Sequence, residues 1–285
     1  MTKIGRFTAA SLVLSLMTLG SFAVADAQDK IDWQKGPVKV DIDSYAEIDV
    51  PQGYVFTGKE GTKKAMKLMG NLLTNKEVGM IAPASLLDPK AKDKPWFVVF
   101  EYDPIGYVKD DEKDAIDADG LLKTFRENNR RANTERAKQG LQVLEVAGWA
   151  VKPHYDEQTH NLEWGLDLKE KQGEADMGNT VNYEVRLLGR NGVMSSTLVL
   201  SKEDLDTILP DFRKLLKSCE FNSGLRYAEF KQGDKIAQYG LTALIGGGAV
   251  AVAAKSGLLK NLWKILVAAA VGVGALLKRL WGKKE

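Results

Sequence analysis

One cysteine, Cys219, stands in the whole chain. No intrachain disulfide can form even in an oxidising compartment, so the fold has to be held by its core. Its neighbours Ser218, Glu220 and Phe221 suit a buried thiol better than a nucleophile. Histidine is almost as scarce, with only His154 and His160. A Ser or Cys hydrolase needs a base in reach, usually histidine, and no G-x-S-x-G elbow accompanies these two. They stand six residues apart, outside the i, i+4 register of a zinc helix and with no cysteine nearby. Asp156 or Glu157 between them offers a further ligand type, but the spacing favours exposed hairpin-loop histidines, and no metal or cofactor is expected.

The main part of the chain also lacks an excess of positive charge. Residues 28–235 carry 31 Lys/Arg against 36 Asp/Glu, whereas 236–285 carry 7 against 1. A mildly acidic domain has no electrostatic footprint for a phosphate backbone, so nucleic acid is not an expected partner. The basic charge sits instead beside apolar runs at the C-terminus, where it suits membrane flanks.

No apolar run is long. Phe7–Val24, preceded by Lys3 and Arg6 and followed by Ala25-Asp26-Ala27, has the plan of a cleavable signal peptide over residues 1–27, with Gln28 as the new N-terminus. At the other end Tyr239–Ala254 has sixteen residues and Ile265–Leu277 thirteen. As helices they would span about 24 and about 20 Å, short of the ~30 Å hydrocarbon core. Ala243, Gly247 and Ala251 recur every four residues, as do Ala268 and Gly272, a spacing that permits close helix approach, a hairpin or self-association. The closing Lys278, Arg279, Lys283 and Lys284 argue instead for one crossing with a cytoplasmic end, and LLKNLWK between the runs would lie in the interface. Residues 236–285 are therefore expected to anchor an exported domain to the cytoplasmic membrane.

What remains is about 208 residues, enough for one large domain or two small ones. Residues 28–44 read as a lead-in segment outside the core. YAEIDVPQGYVFTG suits two short strands around a Pro51-Gln52-Gly53 turn, and Ala65, Met66, Leu68, Met69, Leu72 and Leu73 mark a helix between Gly61 and Leu73 whose methionines pack a core. PWFVVFEY, residues 95–102, is the strongest strand and is expected at the centre of a sheet. The next loop packs seven carboxylates between Asp103 and Asp119, yet fails as an EF-hand because Ala115 and Arg126 fall where the first and twelfth ligands belong. Asp117 or Asp119 suits an N-cap for the helix that follows, with Gly140 as its stop and Arg126, Arg130, Arg131 and Arg136 on a solvated face.

From Leu141 the pattern becomes antiparallel sheet: LQVLEVAGWAV and NLEWGLDL, a polar insert KEKQGEADMGN, then VNYEVRLLG and VMSSTLVL joined through Asn191-Gly192. Ser201 and Asp204 have capping-box spacing before a helix containing Pro210, and CEFNSGLRYAEF reads as a last strand and exit. This order gives an α+β sandwich with helices packed over an antiparallel sheet.

WFVVFEYDPIGYVKDDE, GWAVKPHYDEQTHNLEWGL, VNYEVRLLGRNGVM, LPDFRKLL and FKQGDKIAQYGLTALIGGG together resemble a bacterial family of membrane-anchored proteins defined only as a domain of unknown function, number 2167. The resemblance covers roughly residues 45–255. It implies an exported domain, taken here as 45–235, on a C-terminal membrane segment, and it brings no catalytic residues. The closing half also looks loosely like the PsbP and Mog1-like sandwich.

Candidate ligand-binding residues are Trp96, Tyr102, Tyr107, Trp149, His154, Tyr155 and Trp164, aromatic or basic groups at strand ends beside polar loops; core packing of the aromatics is the competing reading. The function expected from all this is an envelope binding or scaffolding domain at the cytoplasmic membrane, in contact with other envelope proteins or with itself. Two alternatives stay open: a membrane-tethered hydrolase or carbohydrate-active enzyme using carboxylates, and a small-ligand or lipid sensor.

Overall fold

The computed structural model describes Met17 and residues 31–246, except 89, 92–94, 173–174 and 239. The rest of the leader, and the anchor residues from 247 on with Gly247, Ala251, Ala268 and Gly272, lie outside the described residues. Within them, no helix is long and apolar enough to cross a membrane.

The aromatic and β-branched run at 95–102 becomes β6 (Phe97–Asp103), with Phe97, Val98, Val99 and Phe100 buried on both faces. That position is central: the eight-stranded sheet runs β1 (Gln34–Lys35), β4 (Tyr54–Gly58), β5 (Glu77–Pro83), β6, β10 (Val193–Ser201), β9 (Ala175–Leu188), β8 (Asn161–Gln172), β7 (Val143–Asp156). Each of these pairings is antiparallel. The Asn191-Gly192 turn joins β9 to β10 in the expected register, Leu188 opposite Val193.

A second sheet of three strands, β11 (Glu220–Phe221), β3 (Ala46–Val50) and β2 (Val38–Ile42), covers one face together with α3 (Leu205–Leu216). Ile42 and Ile48 from the small sheet, Phe212 from α3, and Val98, Phe100, Tyr183 and Leu198 from the large one form a single core. The opposite face carries two. One lies under α1 (Lys59–Leu68), with Met66, Met69, Val55, Met80, Phe97, Val99 and Val199. The other lies under α2 (Ala118–Lys138) and α4 (Leu241–Ile245), with Leu121, Phe125, Leu162, Trp164, Leu166, Leu168, Leu244 and Ile245. The molecule is a mostly antiparallel sheet with a few helices, as the pattern indicates.

Several local expectations change. The lead-in segment is part of the fold: β2 alternates exposed Lys39 and Asp41 with buried Val40 and Ile42. The two strands around Pro51 do form, but β3 joins the small sheet and β4 the large one. Strand β5 has no counterpart in the sequence reading, because a run buried on both faces carries no alternation to reveal it. The polar insert is the tip of the β8–β9 hairpin, with Lys171 opposite Asp176 and Gln172 opposite Ala175. No side-chain cap forms at Ser201, and Pro210 stands inside α3. Asp117 does cap α2, its carboxylate accepting from Gly120 N at 3.0 Å, and Gly140 follows the helix end at φ 70°. The arginine face is not simply solvated: Arg126 donates to the carbonyls of Val146 and Ala147, and Arg136, 2% exposed, donates to those of Gln142 and Gly70. These bonds stitch α2 to β7 and to the turn after α1.

Candidate functional site

A cleft of about 600 Å³ opens where the β7–β8 hairpin meets α3. His154 and Asp156 from β7, Glu163 from β8, Leu187 from β9 and Arg213 from α3 line it, with Cys219 among its further lining residues. The hairpin is closed by Asp156, whose carboxylate accepts from the backbone N–H of Gln158 and Thr159 at 2.8 and 3.2 Å, an Asx turn built from the YDEQTH sequence. These bonds, Gln158 first, hold the Asp156 carboxyl below its ordinary value.

Alternation along β8 then sorts its side chains. Trp164, Leu166 and Leu168 go under α2, and Glu163 goes to the other face, opposite His154 in register. Glu163 is 9% exposed. Its Oε2 accepts from the Tyr183 hydroxyl at 2.5 Å, lies 3.4 Å from Arg213 Nη2 and 3.7 Å from His154 Nε2. Arg213 Nη2 also donates to the Tyr183 oxygen at 3.0 Å, and its guanidinium sits over the Tyr183 ring. Burial, and then the hydrogen bond to Glu163, push the Tyr183 phenol above its ordinary value, so it stays a donor. Gly165 lies opposite Tyr183, and a Cβ there would come within 3.3 Å of that ring.

The carboxylate at the centre of this group is held by two donors and is placed to pair with cations. Burial, with help from Glu220, pushes the Cys219 thiol up to about 12, which keeps it a thiol rather than a nucleophile at neutral pH. A cleft with a fixed guanidinium, a fixed carboxylate and an accessible imidazole can recognise a polar or mixed-charge surface by paired hydrogen bonds.

The second histidine goes elsewhere. His160, at φ 54°, ends the β7–β8 turn and packs on Tyr227 with ring centroids 4.9 Å apart. The Tyr155 hydroxyl donates to Asp110 at 3.0 Å and lies 3.0 Å from His160 Nδ1. Tyr107 stacks on Tyr227 and Phe230, at 4.4 and 4.3 Å. Burial first, and then the bond to Asp110, raise the Tyr155 phenol. Part of the acidic loop has structural work: Asp110 holds Tyr155 and Asp117 caps α2, while Lys113 pairs with Glu157 at 2.8 Å and Asp111, Glu112, Asp114 and Asp119 are exposed. Among the described residues no three His, Cys, Asp or Glu side chains are arranged to hold a metal.

Of the seven residues singled out by sequence, only His154 reaches the cleft. Trp96 and Trp164 are buried core residues, Trp96 edge-on to Tyr54 at 5.7 Å and Trp164 beneath the Arg186 guanidinium at 5.1 Å. Trp149 packs against Phe125 and donates to Ala118 O at 3.1 Å. Tyr102 stacks on Tyr45 at 3.6 Å, and burial, then Tyr45 and Asp103, raise its phenol to about 12. Tyr107 and Tyr155 belong to the His160 cluster. The sequence reading missed Glu163, Tyr183 and Arg213, which come from three separate elements; the only trace was Glu163 as a charge in the alternating NLEWGLDL strand.

One comparison with known proteins shows the family, and none shows an activity. No curated protein matches the chain by sequence. Among solved structures it is similar to cyanobacterial PsbP (CyanoP) from Synechocystis sp. PCC 6803, at 12% identity and TM-score 0.37 over 67% of this chain and 92% of that one. It is similar to the protein of unknown function PA94 from Pseudomonas aeruginosa, at 18% and 0.25 over 46% and 76%. It is also similar to LpqN, involved in cell envelope biogenesis of Mycobacterium tuberculosis, at 11% and 0.30 over 71% and 98%. Likenesses at these scores assign no function. The model of the family described as Protein of unknown function (DUF2167) matches residues 34–277, most of the chain, and the chain belongs to that family.

Proposed function

We propose that this chain is a binding domain of the bacterial cell envelope, exported through its leader and held at the cytoplasmic membrane by residues 236–285. Its cleft between the β7–β8 hairpin and α3 is the contact site for a partner. The observation that carries the reading is the Glu163–Tyr183–Arg213 group. Its charges are fixed by one another and reach a 600 Å³ opening, while the one thiol there is held protonated by burial. Such a site offers paired charges for recognition and no thiolate. Anchoring is supported by the basic charge beside the two short apolar runs.

Both halves are testable on the full chain. In fractionated cells it is expected in the membrane pellet after carbonate washing, and Ile265→Glu with Val271→Glu should release it. Pull-down from those membranes should recover a partner that Arg213→Glu no longer retains. A chain that is soluble with its tail intact sinks the anchor, and a partner retained equally by Arg213→Glu sinks the cleft. For topology, a cysteine added after Glu285 should resist labelling from the periplasmic side if the tail crosses once.

A further inference from the structure

Met17 belongs by sequence to the leader, yet it is buried at 1% exposure against the large sheet. Its backbone N–H donates to Asn182 Oδ1 at 2.7 Å, and Asn182 Nδ2 donates back to the Met17 carbonyl at 3.0 Å. The N–H and C=O of one residue point the same way only in an extended chain; in a helix they point in opposite directions along the axis. Asn182 therefore offers one rung of a β ladder in side-chain form. The Met17 side chain joins the core of Ile31, Val55, Met66, Met80, Phe97, Val99 and Val199. On neighbouring β10, Val199 stands opposite Asn182, and Thr197, two residues before it on the same face, is 1% exposed with an Oγ1 that has no partner among the described residues.

Removing the leader takes away both partners of a buried carboxamide beside a methionine-sized apolar seat. An unmet amide of that kind in an apolar setting has to be satisfied again, by water or by another chain. The residues that follow α4, Gly246–Ala254, carry nothing larger than valine and do not match that seat. We propose that, once the leader is cleaved, this slot binds an extended apolar segment of a partner protein. The segment's backbone would pair with Asn182, and a methionine- or leucine-sized side chain would fill the seat between Met80 and Val199. The inference rests on cleavage after Ala27 and on the domain being exported.

The test uses the chain purified from membranes, with its N-terminal mass read first, and a labelled peptide of residues 12–22 as the probe. The mass is expected to begin at Gln28. The peptide should bind saturably, and its analogue N-methylated at Met17, which replaces the backbone donor by a methyl group, should bind at least on the order of tenfold weaker. Asn182→Ala in the protein should lower affinity similarly, and the N-methyl comparison stands even if that variant fails to fold. Equal binding of the two peptides, or none to the processed chain, overturns the slot. Binding that appears only when residues 247–285 are deleted assigns the seat to the chain's own tail and also overturns it. A mass that includes the leader overturns the cleavage reading separately, and leaves Met17 as a permanent part of the core.

Discussion

The two faces of the large sheet are built differently. The face under α3 and the small sheet has one continuous apolar core, in which Phe100, Tyr183, Leu198 and Phe212 meet Ile42 and Ile48, and it turns polar only at the end where Glu163 and Arg213 line the cleft. The opposite face has an apolar core at each end and a polar strip between them: Glu101 on β6, Ser195 and Thr197 on β10, and Asn182, Glu184 and Arg186 on β9. Thr74 links two of its carboxylates, its backbone N–H donating to Glu77 at 2.6 Å and its hydroxyl to Glu101, and Arg186 pairs with Glu184 at 2.8 Å. Burial, partly offset by the Thr74 hydrogen bond, raises the Glu101 carboxyl to about 7. The residue as a whole keeps some accessible surface, but the enclosed carboxyl end sets its proton affinity. Polar groups buried on a sheet face gain little and cost desolvation unless they are paired, as Arg186 and Glu184 are. The first face keeps its polar groups at one end, where Glu163, Tyr183 and Arg213 meet at the cleft, and the second carries them as a strip between two apolar cores.

That contrast can be broken by mutation. Phe100→Ala on the sealed face should cost roughly 3–5 kcal/mol in denaturant unfolding, because the cavity it leaves has rigid walls on two sides. On the polar face the expected signal is pH dependence. Glu101 binds its proton more tightly folded than unfolded, so its contribution is complete below about 4.5 and declines as pH rises towards about 7. The loss over that window is at most roughly 3 kcal/mol, and Glu101→Gln should flatten it. Thr197→Val replaces a hydroxyl that has no partner among the described residues by a methyl of the same shape and should be neutral or stabilising by up to about 1 kcal/mol. A loss comparable to Phe100→Ala would show that the strip is structural after all. Asp234 is a control outside both faces. Its bonds with Arg190, at 2.6 and 2.7 Å, hold its carboxyl at about 2, so its contribution is present above about 4 and lost as pH falls towards 2. Asp234→Asn should remove only that acid-side slope.

Periodicity made most of this fold legible. The Asn191-Gly192 hairpin, the central strand at Phe97 and the Asp117-capped helix all follow from local rules, because in each the turn, cap or alternation that decides the structure lies within a few residues. Strand β5 escaped because burial on both faces erases alternation, and β2 because its core partners, Val50 and Ile48, lie on the next strand. The site was less legible for the same reason on a larger scale. Glu163, Tyr183 and Arg213 become neighbours only when two strands and a helix from separate parts of the chain converge. The aromatics that stood out in sequence are large, and size usually takes an aromatic into a core, where Trp96 and Trp164 are found. His154 and His160 read as exposed residues of one hairpin loop; the turn between them sends one to Glu163 and the other to Asp110.

The most direct test of the proposed role is site-specific photo-crosslinking in living cells, with the reactive side chain placed at Thr159 on the cleft rim and, as a control, at exposed Lys138 at the end of α2. A discrete adduct from position 159 that is lost with Arg213→Glu, and none from position 138, is the expected result. No adduct at 159, or the same adducts from both positions, would contradict a binding role for the cleft.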